Sequence, residues 1–209
     1  MGCGQPCNMA KVERLEQGYM HHPAELKAAM LLSHGAGGSC DAPLMVAVAE
    51  AFSDAGYCVF RWNLPFRQLR PRGAPGGSGE RDREGIRDAV KLLQQQASGV
   101  PLYLAGQSYG GRQSSMVAAE DPGACDGLLL LSYPLHPPGK PAQLRTEHFP
   151  KLRVPAVFVH GTRDPFGTVE ELRNAIKLIP AAARLQVVDG AGHGVPPSAA
   201  KSMPAWLST

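Results

Sequence analysis

Gly106-Gln107-Ser108-Tyr109-Gly110 is the stretch that decides how this chain folds. An apolar run, Pro101-Leu102-Tyr103-Leu104-Ala105, precedes it and reads as a buried strand. Residues 111–120 follow it and read as a helix. Strand, tight turn and helix form the context in which a G-x-S-x-G segment holds its serine in a strained conformation, with the hydroxyl clear of the sheet. The glycines at 106 and 110 leave room where strand and helix nearly touch. A bare G-x-S-x-G arises easily by chance in a chain with 24 glycines, so the flanking pattern carries the reading.

Working outward, residues 28–33 (Ala-Ala-Met-Leu-Leu-Ser) are another apolar run of strand length, and they end in His34-Gly35-Ala36-Gly37-Gly38-Ser39. Residues 43–55 place Leu44, Val48, Ala51 and Phe52 at helical spacing, and Gly56 stops the helix. Residues 57–62 read as a strand. Residues 63–85 read as one long loop in which arginines alternate with Gly and Pro. Its Gly73–Gly79 segment lacks the Gly-Lys-Ser/Thr of a phosphate loop and does not sit between a strand and a helix. Residues 86–96 are helical, with Ile86, Val90 and Leu93 on one face.

Downstream, residues 127–132 and 156–160 are buried strands. Residues 133–155 are a Pro-rich loop with at most one short helix around 142–147. Residues 169–179 read as a helix, 184–188 as a last strand, and 197–207 as a short terminal helix broken at Pro204. Residues 1–27 are weakly patterned, with an edge strand within 11–19 or partial disorder as the two readings. Apolar strands alternating with helices argue an α/β fold: a mostly parallel central sheet with helices on both faces. The length, 209 residues, suits a single domain over residues 1–209. In such sheets ligands sit beyond the carboxyl ends of the strands.

The bulk numbers narrow the function class. A formal net charge of +3 is too small to argue for nucleic acid. No apolar run approaches the ~18 residues of a transmembrane helix, so no membrane association is expected. No basic region followed by an apolar one opens the chain, so no secretory signal is expected. Cys3, Cys7, Cys40, Cys58 and Cys125 are odd in number and scattered, which points to a reducing, cytoplasmic location. Cys3 and Cys7 alone do not make a metal site, and the histidines show no ligand spacing, so no metal and no cofactor are expected.

A serine hydroxyl is a poor nucleophile at neutral pH and needs a base, which in turn needs an orienting acid. The strand ends supply both. After residues 156–160 comes Gly161-Thr162-Arg163-Asp164-Pro165-Phe166-Gly167, and after residues 184–188 comes Asp189-Gly190-Ala191-Gly192-His193-Gly194. Ser108, Asp164 and His193 are therefore the candidate nucleophile, orienting acid and base. Asp189 lies only four residues before His193 and is expected to brace its loop. The preceding strand ends in Ser132-Tyr133-Pro134, with no carboxylate nearby, which favours Asp164.

An oxyanion would be held by backbone N–H groups of Tyr109 and Ala36, with Gly37 as second choice for the latter. Glycines in the 34–38 loop let its backbone approach a ligand. His34 reads as ordering that loop, and His160 as a core or supporting residue. Gln107, His136 and Phe166 are the candidate substrate-lining side chains, although His136 reads first as a surface loop residue. Arg67, Arg70, Arg72, Arg81 and Arg83 read first as a solvated basic surface and second as an attractor of anions.

Gly106–Gly110, His34–Gly38, Gly161–Asp164 and Gly192–Gly194, in the order Ser, Asp, His, resemble the α/β-hydrolase superfamily from about residue 28 to the C-terminus. More narrowly, Arg61-Trp62-Asn63-Leu64-Pro65-Phe66, Leu135-His136-Pro137-Pro138-Gly139-Lys140-Pro141 and residues 161–167 resemble a dienelactone-hydrolase-like branch. That branch includes testis-expressed hydrolase-like proteins and a hydrolase-like region of a chromatin-complex subunit. The resemblance implies a compact α/β-hydrolase fold with no cap domain. True dienelactone hydrolases use a cysteine nucleophile where this chain has Ser108.

The reading that follows is a serine hydrolase cleaving small carboxylic esters through an acyl-enzyme. Short acyl chains are preferred because no amphipathic lid sequence interrupts residues 132–155. Thioesterase and lactone hydrolase use the same site and stay open, as does a non-catalytic interaction module on the same fold. A small-molecule ester is the expected partner, and oligomeric state is not readable.

Overall fold

The structure is a computed structural model that describes residues 11–208. The apolar runs become β3 (Ala28–Ser33), β4 (Tyr57–Trp62), β5 (Leu102–Gln107), β6 (Gly127–Leu131) and β7 (Ala156–Gly161), all buried save two half-exposed positions in β5. β8 (Ala183–Val188) closes one side of the sheet. β1 (Lys11–Leu15) and β2 (Gly18–His22) form an antiparallel hairpin whose second strand pairs with β4. The result is an eight-stranded sheet of order β1-β2-β4-β3-β5-β6-β7-β8, parallel from β4 to β8.

Helices α1 (Pro43–Asp54), α2 (Pro65–Leu69), α3 (Glu80–Gln96), α4 (Tyr109–Glu120), α5 (Val169–Ala175) and α6 (Met203–Ser208) cover it. Successive side chains on a strand point to opposite faces, and the core divides accordingly. Leu31, Leu104, Leu128, Leu130 and Phe158 pack with Ile86, Val90 and Leu93 of α3 and with Val117 of α4. Met30, Leu32, Leu129, Leu131 and Val157 pack with Met45, Val48 and Phe52 of α1 and with Met203 of α6. Each such side chain stabilises the fold by about 1.5–3 kcal/mol relative to exposure. This is a mostly parallel sheet with helices on both faces and, among the described residues, no separate cap.

The structure corrects or sharpens four local expectations. The N-terminal region supplies the edge strand β1 and also a second strand, β2, which buries Met20 and His21 against β4. The 63–85 loop is interrupted by α2, and α3 begins at Glu80, six residues earlier than its apolar stripe suggests. Its first turn is polar for a reason: Glu80 and Asp82 face the positive end of the helix dipole, and Arg83 is buried beside Glu80, Glu120 and Gln113. Residues 142–147 are not helical. The Arg145 N–H donates to the Leu135 carbonyl at 2.8 Å and the Arg145 carbonyl accepts from the Tyr133 hydroxyl at 2.7 Å, so a distant segment has taken both backbone groups. Finally, the terminal helix changes from a tight three-residue-per-turn form at Pro197–Ser202 to α6 before Pro204, not at it. Pro204 sits in the first turn of α6, where its missing N–H costs nothing. Cys3 and Cys7 lie outside the described residues.

Candidate active site

Register brings the carboxyl ends of the parallel strands level. Ser33 lies opposite Trp62 and Gly106, Gln107 opposite Leu131, Leu131 opposite Val159, and Gly161 opposite Val188. The loops leaving these strands therefore open on one edge, where Ser108, Asp164 and His193 meet.

Ser108 sits between β5 and α4 at φ 49°, ψ −115°, one of the positive-φ non-glycine residues of the described chain. Such a conformation costs on the order of 1–3 kcal/mol and persists where neighbours over-determine it. Here the Ser108 N–H donates to the Leu131 carbonyl at 2.8 Å, and the Ser108 carbonyl accepts from the Arg112 N–H at 2.9 Å. A Cβ on Gly106 would stand 2.6 Å from the Gly111 nitrogen, and one on Gly110 would strike the His34 and Ser33 carbonyls. The flanking glycines are thus a steric requirement of the turn.

Ser108 Oγ lies 2.7 Å from His193 Nε2. His193 Nδ1 lies 2.9 Å from both oxygens of Asp164, whose side chain is fully buried. Asp164 accepts only, so Nδ1–H is the donor and Nε2 keeps its lone pair for the serine proton. The Phe166 N–H donates to Asp164 Oδ1 at 2.9 Å, and the Phe166 ring stacks on the imidazole with centroids 3.8 Å apart. His160 lies fully buried behind the carboxylate: its Nε2–H donates to the Gly167 carbonyl at 2.7 Å, and its Nδ1 is 3.7 Å from Asp164 Oδ2. Asp189 accepts from the Thr162 hydroxyl at 3.2 Å, and the Thr162 Oγ1 accepts from the Gly190 N–H at 2.8 Å, so Asp189 braces the loop of His193.

The 34–38 loop is held from outside the site. His34 is fully buried; its Nδ1–H donates to the Gly35 carbonyl at 2.8 Å and its Nε2 accepts from the Leu64 N–H at 3.2 Å. Burial, ahead of the nearby Arg67 charge, lowers its pKa, which keeps this loop histidine neutral. Arg67 donates to the carbonyls of Gly38 and Ala36, both at 2.8 Å, and to those of Arg70 and Gly73. Asp82 joins three helices: it accepts from the Tyr109 hydroxyl at 2.6 Å and from the Phe66 N–H at 3.0 Å. Burial, then this bond to Asp82, raises the Tyr109 pKa.

A cavity of about 680 Å³ opens above Ser108. Ala36, Gly37, Gln107, Tyr109 and Phe166 line it with Ser108 and His193. His136 does not. It is buried, with Nδ1–H donating to the Pro137 carbonyl at 2.8 Å and Nε2 3.4 Å from Glu171, and is neither a surface loop residue nor a wall of the cavity. Arg112, Pro134 and Arg145 line the cavity and were missed. Arg112 carried a signal, standing four residues after Ser108 in the first turns of α4; Arg145 carried none. The basic-surface expectation for the 67–83 arginines holds for Arg70, Arg72 and Arg81, which are exposed, and fails for Arg67 and Arg83, which are buried. Among the described residues no group of three or more His, Cys, Asp or Glu is placed to hold a metal, and no helix is long and apolar enough to cross a membrane.

The family model for the alpha/beta hydrolase domain matches residues 26–204. The chain is similar in structure to a dienelactone hydrolase from Anabaena variabilis, with 21% identity and a TM-score of 0.72 over 91% of this chain and 88% of that one. It is similar to Est1E from Butyrivibrio proteoclasticus, seen with ferulic acid bound, at 17% identity and a TM-score of 0.72 over 97% and 98% of the two chains. It is also similar to XC6422 from Xanthomonas campestris, an α/β serine hydrolase without a lid, at 19% identity and a TM-score of 0.66 over 88% and 85%. At these identities the likeness is one of fold.

Proposed function

This chain belongs to the α/β-hydrolase family, and from that premise we propose that it is a serine hydrolase that cleaves small carboxylic esters through an acyl-enzyme on Ser108. One observation carries the reading: Ser108 Oγ stands 2.7 Å from His193 Nε2, and His193 Nδ1 is backed by a buried Asp164 at 2.9 Å. His193 takes the hydroxyl proton as Ser108 attacks the ester carbonyl. Asp164 fixes the tautomer and stabilises the imidazolium that forms. The N–H of Tyr109, first in α4 and without an intrahelical acceptor, and that of Ala36 hold the oxyanion, with Gly37 as the alternative to Ala36. His193 then gives its proton to the leaving alcohol, and activates the water that frees the acid. Gln107 and Phe166 line the substrate's path, and Phe166 also keeps the imidazole in plane by stacking.

Short acyl chains suit the site because the cavity is open and modest, and no separate cap among the described residues extends it into a long apolar channel. Turnover of a p-nitrophenyl ester series from acetate to laurate tests the reading. Acetate or butyrate is expected to be cleaved fastest, with no turnover above background by Ser108→Ala. Equal turnover by the wild type and by folded Ser108→Ala would overturn it. Thioesters and lactones of matching size, run in the same series, rank the bond type.

A further inference from the structure

The side of the cavity where α4 meets the 133–155 loop carries two cations that form no ion pair among the described residues. Arg112 and Arg145 both line the cavity, and both are half-buried. Among the described residues, no carboxylate lies within ion-pair distance of either. Arg61, Arg83, Arg87 and Arg173, by contrast, each have one. Among the described residues, the buried Nε of Arg112 has no hydrogen-bond partner, and the Arg145 side chain donates to the Pro134 carbonyl at 3.3 Å. Burial, then the charge of Arg112, lowers the pKa of Arg145 against the smaller opposing effects of Tyr133 and Glu147. Glu147 is exposed and forms no ion pair with either among the described residues.

Both backbones are fixed. Arg112 rides on α4, where Ser115 Oγ is 2.8 Å from His148 Nε2 and ties the helix to the crossing loop. Arg145 is held by the bonds of its backbone to Leu135 and Tyr133. Two guanidiniums lining one partly desolvated cavity repel each other, and a shared anion converts that cost into paired charge-assisted bonds.

We propose that Arg112 and Arg145 form a subsite for an oxyacid anion on the substrate, so that the preferred substrates are half-esters carrying a free carboxylate near the scissile carbonyl. This rests on Ser108 being the nucleophile, and the test separates the two. The wild type is given mono-p-nitrophenyl glutarate and p-nitrophenyl valerate, which have acyl chains of the same length with and without a terminal carboxylate. Losing one charge-assisted contact is worth about ten- to a hundredfold, so the charged ester is expected to have kcat/KM higher by about tenfold or more. Arg112→Gln and Arg145→Gln are expected to shrink that ratio toward one, and Arg112→Lys to restore part of it. Rising salt should erode the ratio.

Glutarate and inorganic phosphate serve as competitors against the valerate ester. Stronger inhibition by glutarate assigns the subsite to carboxylates; stronger inhibition by phosphate keeps the anion subsite and overturns the carboxylate assignment. No inhibition by either, with a ratio near one in the wild type, overturns the subsite even where a fluorophosphonate still labels Ser108. Ser108→Ala should bind monoethyl glutarate more tightly than diethyl glutarate by calorimetry. That result without fluorophosphonate labelling of the wild type would leave the subsite standing and remove the hydrolase reading.

Discussion

The edge formed by β5, β7 and β8 and the two loops that cross it, residues 63–79 and 132–155, are built by different rules. At the edge, Ser108, Asp164 and His193 stand one, three and five residues past the ends of their strands. Where a strand ends determines where each of these side chains emerges. In the crossing loops, position is set by partners far along the chain. Arg67 reaches back to the carbonyls of Ala36 and Gly38, the Phe66 N–H donates to Asp82 of α3, and Tyr133 holds the backbone of Arg145. The edge carries the proposed bond-breaking chemistry, and the loops shape what reaches it. Changes at the edge should therefore abolish turnover and spare the fold, whereas changes in the loops should alter binding and stability together.

The largest expected effect is at the edge. Ser108→Ala or His193→Ala should lower kcat by about 10⁶-fold, and Asp164→Ala by about 10⁴-fold. Differential scanning fluorimetry should show all three melting within a few degrees of the wild type. A triad variant that loses activity only because it unfolds would blur the distinction between edge and loop.

Arg67→Ala attacks the first loop. Its guanidinium is buried and bonds backbone carbonyls on two segments, so removing it should cost about 2–4 kcal/mol. Limited proteolysis should then cut within residues 70–79, and KM should rise more than kcat falls. An unchanged digest and an unchanged KM would mean that the loop is held by something else.

The smallest expected effect is a pH dependence from the second loop. Burial, then the Arg112 charge, brings His148 down to about 4 from 6.5. The folded form therefore stays neutral where the unfolded chain takes up a proton. Stability should be complete above pH 6.5 and fall as the pH drops toward 4, because the unfolded state binds more protons in that window. His21, buried against Arg61 Nε at 2.9 Å and also lowered to about 4, contributes with the same sign from the hairpin. Denaturant titrations across this range should show a shallower slope for His148→Gln. A slope as steep as that of the wild type would show that the ring is not packed as described.

This division also explains what could be read in advance. The parallel strands, the sharp turn at Ser108 and the Ser, Asp, His placement were legible, because apolar runs of strand length and glycine-flanked turns report local geometry. The start of α3 was not, since Glu80 and Arg81 carry no apolar stripe and the buried polar residues there, Asp82 and Arg83, find partners on other elements. His136 was misplaced for the same reason: its backbone N–H donates to the Phe166 carbonyl and its ring meets Glu171, 35 residues away. Arg145 owes its place on the cavity wall to Tyr133 and Leu135, and nothing in its own neighbourhood announces it.

The central claim is that His193 and Asp164 make Ser108 an activated nucleophile. Intact-mass measurement after exposure to a fluorophosphonate probe tests it most directly, with Ser108→Ala and Asp164→Asn run alongside. The account predicts one adduct on the wild type, none on Ser108→Ala, and much slower labelling of Asp164→Asn. A folded wild type that remains unlabelled, or one labelled as fast without Asp164 as with it, would contradict the account.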